Sequence, residues 1–341
     1  MGPIPSFRAC KGLVYVCLND NNLTGSLSHL HFRGLTNLFI LDLSHNSLSG
    51  SIPPQLFALP VDYLSLSNNQ FSGQLEEFPI VNDNISTLDL SRNRIEGPIA
   101  NFIFELRSME SLDLSDNLFN DTFKLSKIQS CLWELILSNN NLSIDTTNTS
   151  SSCLKSLDIS FNLLTCAEKS HYVNNASYVA RLNLQSNKLH CAFSSLIPTS
   201  SKYSTILLAN NRLTGVLPTF ICNASSISVL DLSFNNLSGS IPSCLINASF
   251  VKGVLNLRGN KISGVIPDQF SSECGLHTFD VSNNSLVGKV PKSLANCEKI
   301  VVVNLGNNNL EGRFPCMLPL SLRILLLCSN RFHGDLRCGK R

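Results

Sequence analysis

The sequence predicts an α/β solenoid of about 14 stacked coils with a parallel β-sheet along its concave side, and three observations carry that prediction. The pattern LxLxxNxL recurs in register along the 341 residues, its leucines alternate as in strands with one buried face, and no apolar run exceeds a short strand. Self-similarity at a period of roughly 20 to 50 residues marks repeat architectures.

The repeated Asn stands at Asn21, Asn46, Asn69, Asn93, Asn117, Asn140, Asn162, Asn187, Asn211, Asn235, Asn260, Asn284, Asn308 and Asn330. Its intervals average about 24 residues and none lies outside 22 to 25. In LDLSHNSL (Leu41 to Leu48), Leu41 and Leu43 point inward from a short strand, whereas Asp42, Ser44 and His45 are expected to face outward. One coil cannot bury its own leucines. Stacked coils share an interior, with strands roughly 4.7 to 4.9 Å apart and an arc roughly 60 Å long. Each Asn enters that interior, where an unpaired amide is costly, so it is expected to bond the backbone of its own turn and of the neighbouring coil. The fourteen residues read as a structural ladder.

Four residues after the ladder Asn stands Gly25, Gly50, Gly73, Gly97, Gly215, Gly239, Gly264, Gly288, Gly312 or Gly334. That regularity implies a backbone geometry or a close approach that a side chain would hinder. Seven residues after it come Pro53, Pro218, Pro242, Pro267, Pro291 and Pro315, which suit an extended path off the concave sheet.

LDLSFNNLSGSIP (Leu230 to Pro242) shows the consensus LxxLxxLxLxxNxLSGxIP almost in full, and on it the chain resembles the plant-specific leucine-rich repeats of receptor-like proteins and receptor-like kinases. The run from Leu255 to Gly334 is similar to the late repeats of plant receptor-like proteins of the Verticillium-wilt-resistance type. The resemblance implies a right-handed superhelix or horseshoe with mostly loop, 3-10 and short helix on the convex side. It also implies a non-catalytic, ligand-binding ectodomain fragment of a cell-surface receptor-like protein that serves pathogen perception and defence signalling with a co-receptor kinase. In the full-length parent, such a segment stands on the extracellular side of the plasma membrane. Two further readings share the repeat type: a secreted inhibitor resembling those of polygalacturonase, and an ectodomain fragment of a receptor-like kinase.

The array is expected to be one unit over residues 1–341, with three departures. Residues 1–10 have the register of the tail of a preceding repeat, residues 335–341 read as a truncated end, and neither end shows a Cys-bearing cap, so the chain reads as a fragment. Between 118 and 205 the strand half persists but Gly and GxIP do not, with Asp121, Ile144, Cys166 and Cys191 at the Gly position. A different convex side is expected there, most simply from drift on a tolerant face.

Composition excludes several functions. A net charge of +2 without a basic run gives no reason to expect nucleic acid, and no stretch nears the roughly 18 to 20 apolar residues of a membrane helix, so no membrane contact by this segment is expected. The start, MGPIPSFRAC, lacks the features of a secretion signal. Nucleophile-elbow, zinc-protease, dinucleotide-binding and kinase signatures are absent, and Asp42, Asp89, Asp113, Asp158, Asp231 and Asp280 share one repeat offset, which makes them consensus residues with a structural role. Neither an enzyme, a cofactor nor a bound metal is expected.

Thirteen Cys are many for a reducing compartment. Cys166 and Cys191 share an offset in adjacent coils, within disulfide reach, whereas Cys131 with Cys153 and Cys274 with Cys297 match less closely and read more simply as buried thiols. N-glycosylation sequons stand at Asn22, Asn84, Asn120, Asn141, Asn148, Asn175, Asn223, Asn236 and Asn247; a tenth, at Asn283, would place a glycan on the concave surface and is expected to be unused. For the ligand, a protein or peptide on the concave face is expected. Outward residues that depart from the consensus are the contact candidates: Arg92, Asp116, Glu134, Phe161, Arg181, Phe234 and Arg258.

Overall fold

A computed structural model describes residues 2–341 apart from 80–82, 125–126, 129, 146–152, 167–178, 198–202, 224–226, 247–250, 336–337 and 339–341. Its contacts form two compact units, Met1–Thr165 and Cys166–Arg341, which divide inside the irregular stretch.

In the first unit, seven short strands follow one another as parallel neighbours: Tyr15–Cys17, Ile40–Asp42, Tyr63–Ser65, Thr87–Asp89, Ser111–Asp113, Glu134–Ile136 and Ser156–Asp158. The second unit repeats this with Arg181–Asn183, Thr205–Leu207, Ile227–Asp231, Val251–Asn256, Thr278–Asp280, Val302–Asn304 and Ile324–Leu326. Register holds from strand to strand within each unit, apart from a one-residue shift where Ile227–Asp231 pairs with Val251–Asn256. Leu41 faces Leu64, which faces Leu88, so consensus leucines stack into continuous columns. Leu43 and Leu114 in the first unit, and Leu232 and Leu305 in the second, are fully buried. This is the parallel-sheet solenoid that the repeat predicts. Each such side chain contributes about 1.5–3 kcal/mol of transfer free energy, which only the stack makes available.

The ladder Asn accounts for the polar groups of the turn. Asn69 Nδ2 donates to Leu66 O (3.2 Å) and Ser67 O (3.1 Å) of its own coil and to Leu43 O (3.0 Å) of the preceding one, while Oδ1 accepts from Leu48 N at 3.0 Å. One amide thus satisfies four backbone groups, and Asn93, Asn117, Asn140, Asn235 and Asn308 repeat the arrangement. Asn21 is the exception; it is exposed, and the bonds from its amide reach only Leu18 O and Asn19 O of its own coil.

Opposite the leucine strands, each unit carries a second parallel sheet that the predicted convex side of loop and short helix did not include. It comprises Thr24–Ser26, Ser47–Gly50, Gln70–Gln74, Arg94–Gly97, Leu118–Lys124 and Asn141–Asp145 in the first unit, and Ser263–Val265, Ser285–Gly288, Asn309–Gly312 and Arg331–Phe332 in the second. All ten repeat glycines have positive φ, between 77° and 100°, which explains their spacing. The second sheet continues past residue 118 into the stretch that lacks the repeat glycine. Leu118–Lys124 and Asn141–Asp145 pair in register without glycine, with Asp121 at φ 135°.

After the proline, the chain turns into short 3-10 segments such as Pro54–Ala58, Ser243–Leu245 and Lys292–Asn296, each preceded by Pro53, Pro242 or Pro291 in an extended conformation. Among the described residues the one α-helical turn is Phe102–Glu105, whose three apolar side chains are buried. No helix there is long and apolar enough to cross a membrane.

Candidate ligand surface

Leucine or another apolar residue stands at the third and fifth positions before each ladder Asn and is buried in all but the end coils, so the sixth and fourth positions form the open face of the inner sheet. The position immediately before the Asn completes this surface, and its conformation was not foreseen. It has positive φ in every repeat: Asp20, His45, Asn68, Arg92, Asp116, Asn139, Phe161, Ser186, Asn210, Phe234, Gly259, Asn283, Asn307 and Ser329. A left-handed backbone favours Gly, Asn and Asp and costs other residues roughly 1–2 kcal/mol. Phe161, Phe234 and Arg92 are therefore retained against local conformational preference, on rings and a guanidinium exposed to solvent. Strain of this kind gathers at functional positions.

Two groups of candidates meet. In the first unit, Arg92 Nε lies 3.7 Å from Asp116 Oδ2, and Asn139 Nδ2 donates to Asp116 Oδ1. Nearby on the same sheet, Ser111 Oγ donates to Glu134 Oε2 at 3.4 Å. In the second unit, the Arg258 guanidinium sits over the Phe234 ring, 5.2 Å from its centroid. Gly259 makes room for that ring: a Cβ at Gly259 would stand 2.8 Å from Phe234 Cδ1. Phe161 and Arg181 are exposed on the first and second unit respectively.

The recurring Asp has a local role. Oδ1 of Asp42 accepts from Ser44 N (3.0 Å) and Ser44 Oγ (2.6 Å), and Asp89, Asp113, Asp158 and Asp280 hold the equivalent serine in the same way. The expectation that Ser44 faces outward is corrected by this contact. Ser44 is buried, folded back under the carboxylate of Asp42, and the outward residues of that turn are Asp42 and His45.

Charge separates the two inner surfaces. At the sixth, fourth, second and first positions before the ladder Asn, the first unit carries Asp20, Asp42, Asp89, Asp113, Asp116, Glu134 and Asp158 against the single cation Arg92. The second unit carries Asp231 and Asp280 against Arg181 and Arg258, and each of its two carboxylates accepts a neighbouring amide, from Asn256 at 3.1 Å and Asn304 at 2.9 Å. In the first unit, Asp89 and Asp113 are direct cross-strand partners. Like charges so placed are destabilising. Burial pushes the Asp113 carboxyl up, against bonds from Ser115 that lower it, and the carboxylates of Asp89 and Asp116 add to the rise. Burial likewise raises the Tyr63 phenol, with Asp42 contributing.

Sequence reasoning passed over Trp133, the sole tryptophan, which stands exposed beside Glu134 at the entrance to its strand, and Tyr15 and Phe39, whose rings meet edge-on at 6.4 Å. A hydrophobicity profile counts all three as core; only the repeat offset places them outside.

Five cystine bridges link coils: Cys131–Cys153, Cys166–Cys191, Cys222–Cys244, Cys274–Cys297 and Cys316–Cys338, with Cα separations of 4.9 to 6.0 Å. Reading Cys131, Cys153, Cys274 and Cys297 as buried thiols is corrected, since near-matching offsets suffice when coils stack this closely. Cys10, Cys17 and Cys328 are free and exposed. Among the sequons, Asn22, Asn84, Asn120 and Asn141 are exposed and Asn236 is half-buried. Asn148, Asn175 and Asn247 lie outside the described residues, as does the side chain of Asn223.

Comparison with known proteins agrees with this architecture. The Leucine Rich Repeat family profile matches residues 37–59, 84–106, 226–248, 254–272 and 275–297. The structure is similar to that of the plant peptide hormone receptor RGFR1 in complex with RGF2, with a TM-score of 0.85 and 27% identity over 98% of this chain and 54% of that one. In sequence, 72 residues are 44% identical to the leucine-rich repeat receptor protein kinase MSL1 of Oryza sativa subsp. japonica, over 20% of this chain and 5% of the relative. A match of 88 residues is 40% identical to Receptor-like protein 41 of Arabidopsis thaliana, over 25% of this chain and 10% of the relative. Both of these sequence relatives are plant receptors. It spans about half the length of the similar receptor structure, and its matches cover a small part of either curated relative.

Proposed function

We propose that the chain is the ligand-binding part of a plant cell-surface receptor and that the inner sheet of each unit is a surface for an extended peptide. The observation that carries this reading is the retention of Phe161, Phe234 and Arg92 at left-handed positions where Asn or Gly would stabilise the fold. Exposed aromatic and Arg side chains are the types that most often anchor a binding interface. On the first unit, seven carboxylates against one cation favour a peptide bearing Lys or Arg, which would relieve the repulsion between Asp89 and Asp113. On the second, the Phe234–Arg258 pair and a neutral, more apolar strip suit an apolar or acidic stretch. The parent acts outside the cell in pathogen perception, as a receptor-like protein of the Verticillium-wilt-resistance type, and signals with a co-receptor kinase. Five cystine bridges support an oxidising environment.

Panning a displayed library of random 15-residue peptides tests the site. Selected peptides should be rich in Lys and Arg and lose affinity for Asp116→Asn with Glu134→Gln. Peptides that bind this variant as tightly as the parent chain would reject the inner face as the site.

A further inference from the structure

The second unit holds a cavity of about 540 Å³ away from the inner sheet, on the side of the second sheet and the turns that follow it. Lys289, Lys292, Arg313 and His333 line it together with the apolar Phe314 and Met317, and Glu311 is the acidic residue of the lining. Its position depends on the repeat. Lys289 and Arg313 both stand five residues after a ladder Asn, a place occupied by Ser26, Ser51, Val216, Ser240 and Val265 in other coils, and these two consecutive coils are the ones that make it cationic.

Their side chains are laid side by side by the glycines of the following coils. The stem of Lys289 runs along Gly312, where a Cβ would stand 3.2 Å from its Cγ, and the stem of Arg313 runs along Gly334, at 3.5 Å. Positive φ at both glycines fixes that path. Lys292 opens the 3-10 segment Lys292–Asn296, and Cys316, bridged to Cys338, closes the wall. None of the four basic side chains forms an ion pair among the described residues. Lys292 does act on Asp268, whose carboxyl is held down first by its bonds to Ser293 and then by this lysine, but Asp268 does not line the cavity. Lys289, Lys292 and Arg313 outnumber the one acidic residue of the lining, Glu311, and form no ion pair, and cations so gathered beside exposed apolar surface match an anion that carries an apolar body.

We propose that this cavity binds an organic anion, with a carboxylate, sulfate or phosphate group held by Lys289, Lys292 and Arg313 and an apolar portion packed on Phe314 and Met317. The site is separate from the peptide-binding surface and stands whether or not that reading holds.

Titration calorimetry of the full chain with naphthalene-2-sulfonate tests it, with inorganic sulfate and uncharged 2-naphthol as probes of each half. One saturable site per chain is expected. It should weaken by about tenfold or more in Lys289→Gln with Arg313→Gln, and Phe234→Ala should leave it unchanged. Both cationic residues are exposed, so the thermal midpoint of the double variant should match that of the parent. Met317→Ala should weaken naphthalene-2-sulfonate but not sulfate. Absence of saturable binding, equal affinity in the double variant, or equal affinity for sulfate or for 2-naphthol would each overturn the proposal.

Discussion

Arg258 covers the ring of Phe234 at 5.2 Å, and both side chains reach that position because Gly259, next in sequence, leaves the space that the ring fills. Three residues of two adjacent coils thus hold one exposed anchor against a strained backbone, Phe234 having φ 53°. Replacing Gly259 by Ala should displace the ring, since the added Cβ would meet Cδ1 at 2.8 Å and Gly259 itself has φ 67°. Stability should fall by about 1 kcal/mol, read from urea unfolding, and binding of a selected peptide should weaken with it.

Trading an anchor for a residue at ease in the left-handed region should separate stability from function. Phe161→Asn is expected to raise the unfolding free energy by about 1 kcal/mol and to weaken peptide capture. A variant that became less stable would show the Phe161 ring to be a packing residue.

The ladder predicts a positional difference. Asn117→Ala removes bonds to Leu90 O, Leu114 O and Ser115 O and the acceptor for Ile95 N, all buried, and should cost about 3 kcal/mol or more. Asn21→Ala removes two exposed bonds within its own coil and should cost under about 1 kcal/mol. Equal losses in urea unfolding would refute the inter-coil role.

Much of this was legible in the sequence because one residue does one job in every coil. The Asn period gave the stacking, the leucines the interior, and the glycines a special conformation. What stayed hidden depends on relations between coils. The second sheet continues over Leu118–Lys124 without the repeat glycine, with Asp121 at φ 135°, which no motif announces. The left-handed residue before each Asn could be found in principle, since Asn and Asp recur there, but Phe, Arg and His obscured the column. Phe234, Arg258 and Asp116 stand out in the sequence as departures from consensus; their partners Gly259 and Asn139 look ordinary until the coils are superposed.

Asp113 gives a pH dependence of known sign. Its folded pKa lies above the ordinary 3.8, so the ionised carboxylate opposes folding above that range and the penalty disappears as pH falls through the raised folded value. Asp113→Asn, the residue found naturally at the equivalent Asn256 and Asn304, should therefore stabilise the chain at pH 7 and lose that advantage below 3.8. A benefit that persisted unchanged at low pH would assign the effect to something other than charge.

Cysteine chemistry can be counted. Alkylation of the unreduced, unfolded chain should label Cys10, Cys17 and Cys328, and peptide mapping should recover the five inter-coil bridges, each joining residues 22 to 25 apart.

The inner sheets as ligand surface can be probed by site-specific photo-crosslinking. Benzoylphenylalanine placed at Phe161 and Phe234 on the inner side, and at Val265 on the second sheet, should be irradiated with a selected peptide bound. Crosslinks at one or both inner positions and none at Val265 are the predicted result; crosslinking at Val265, or at no inner position, would contradict the account.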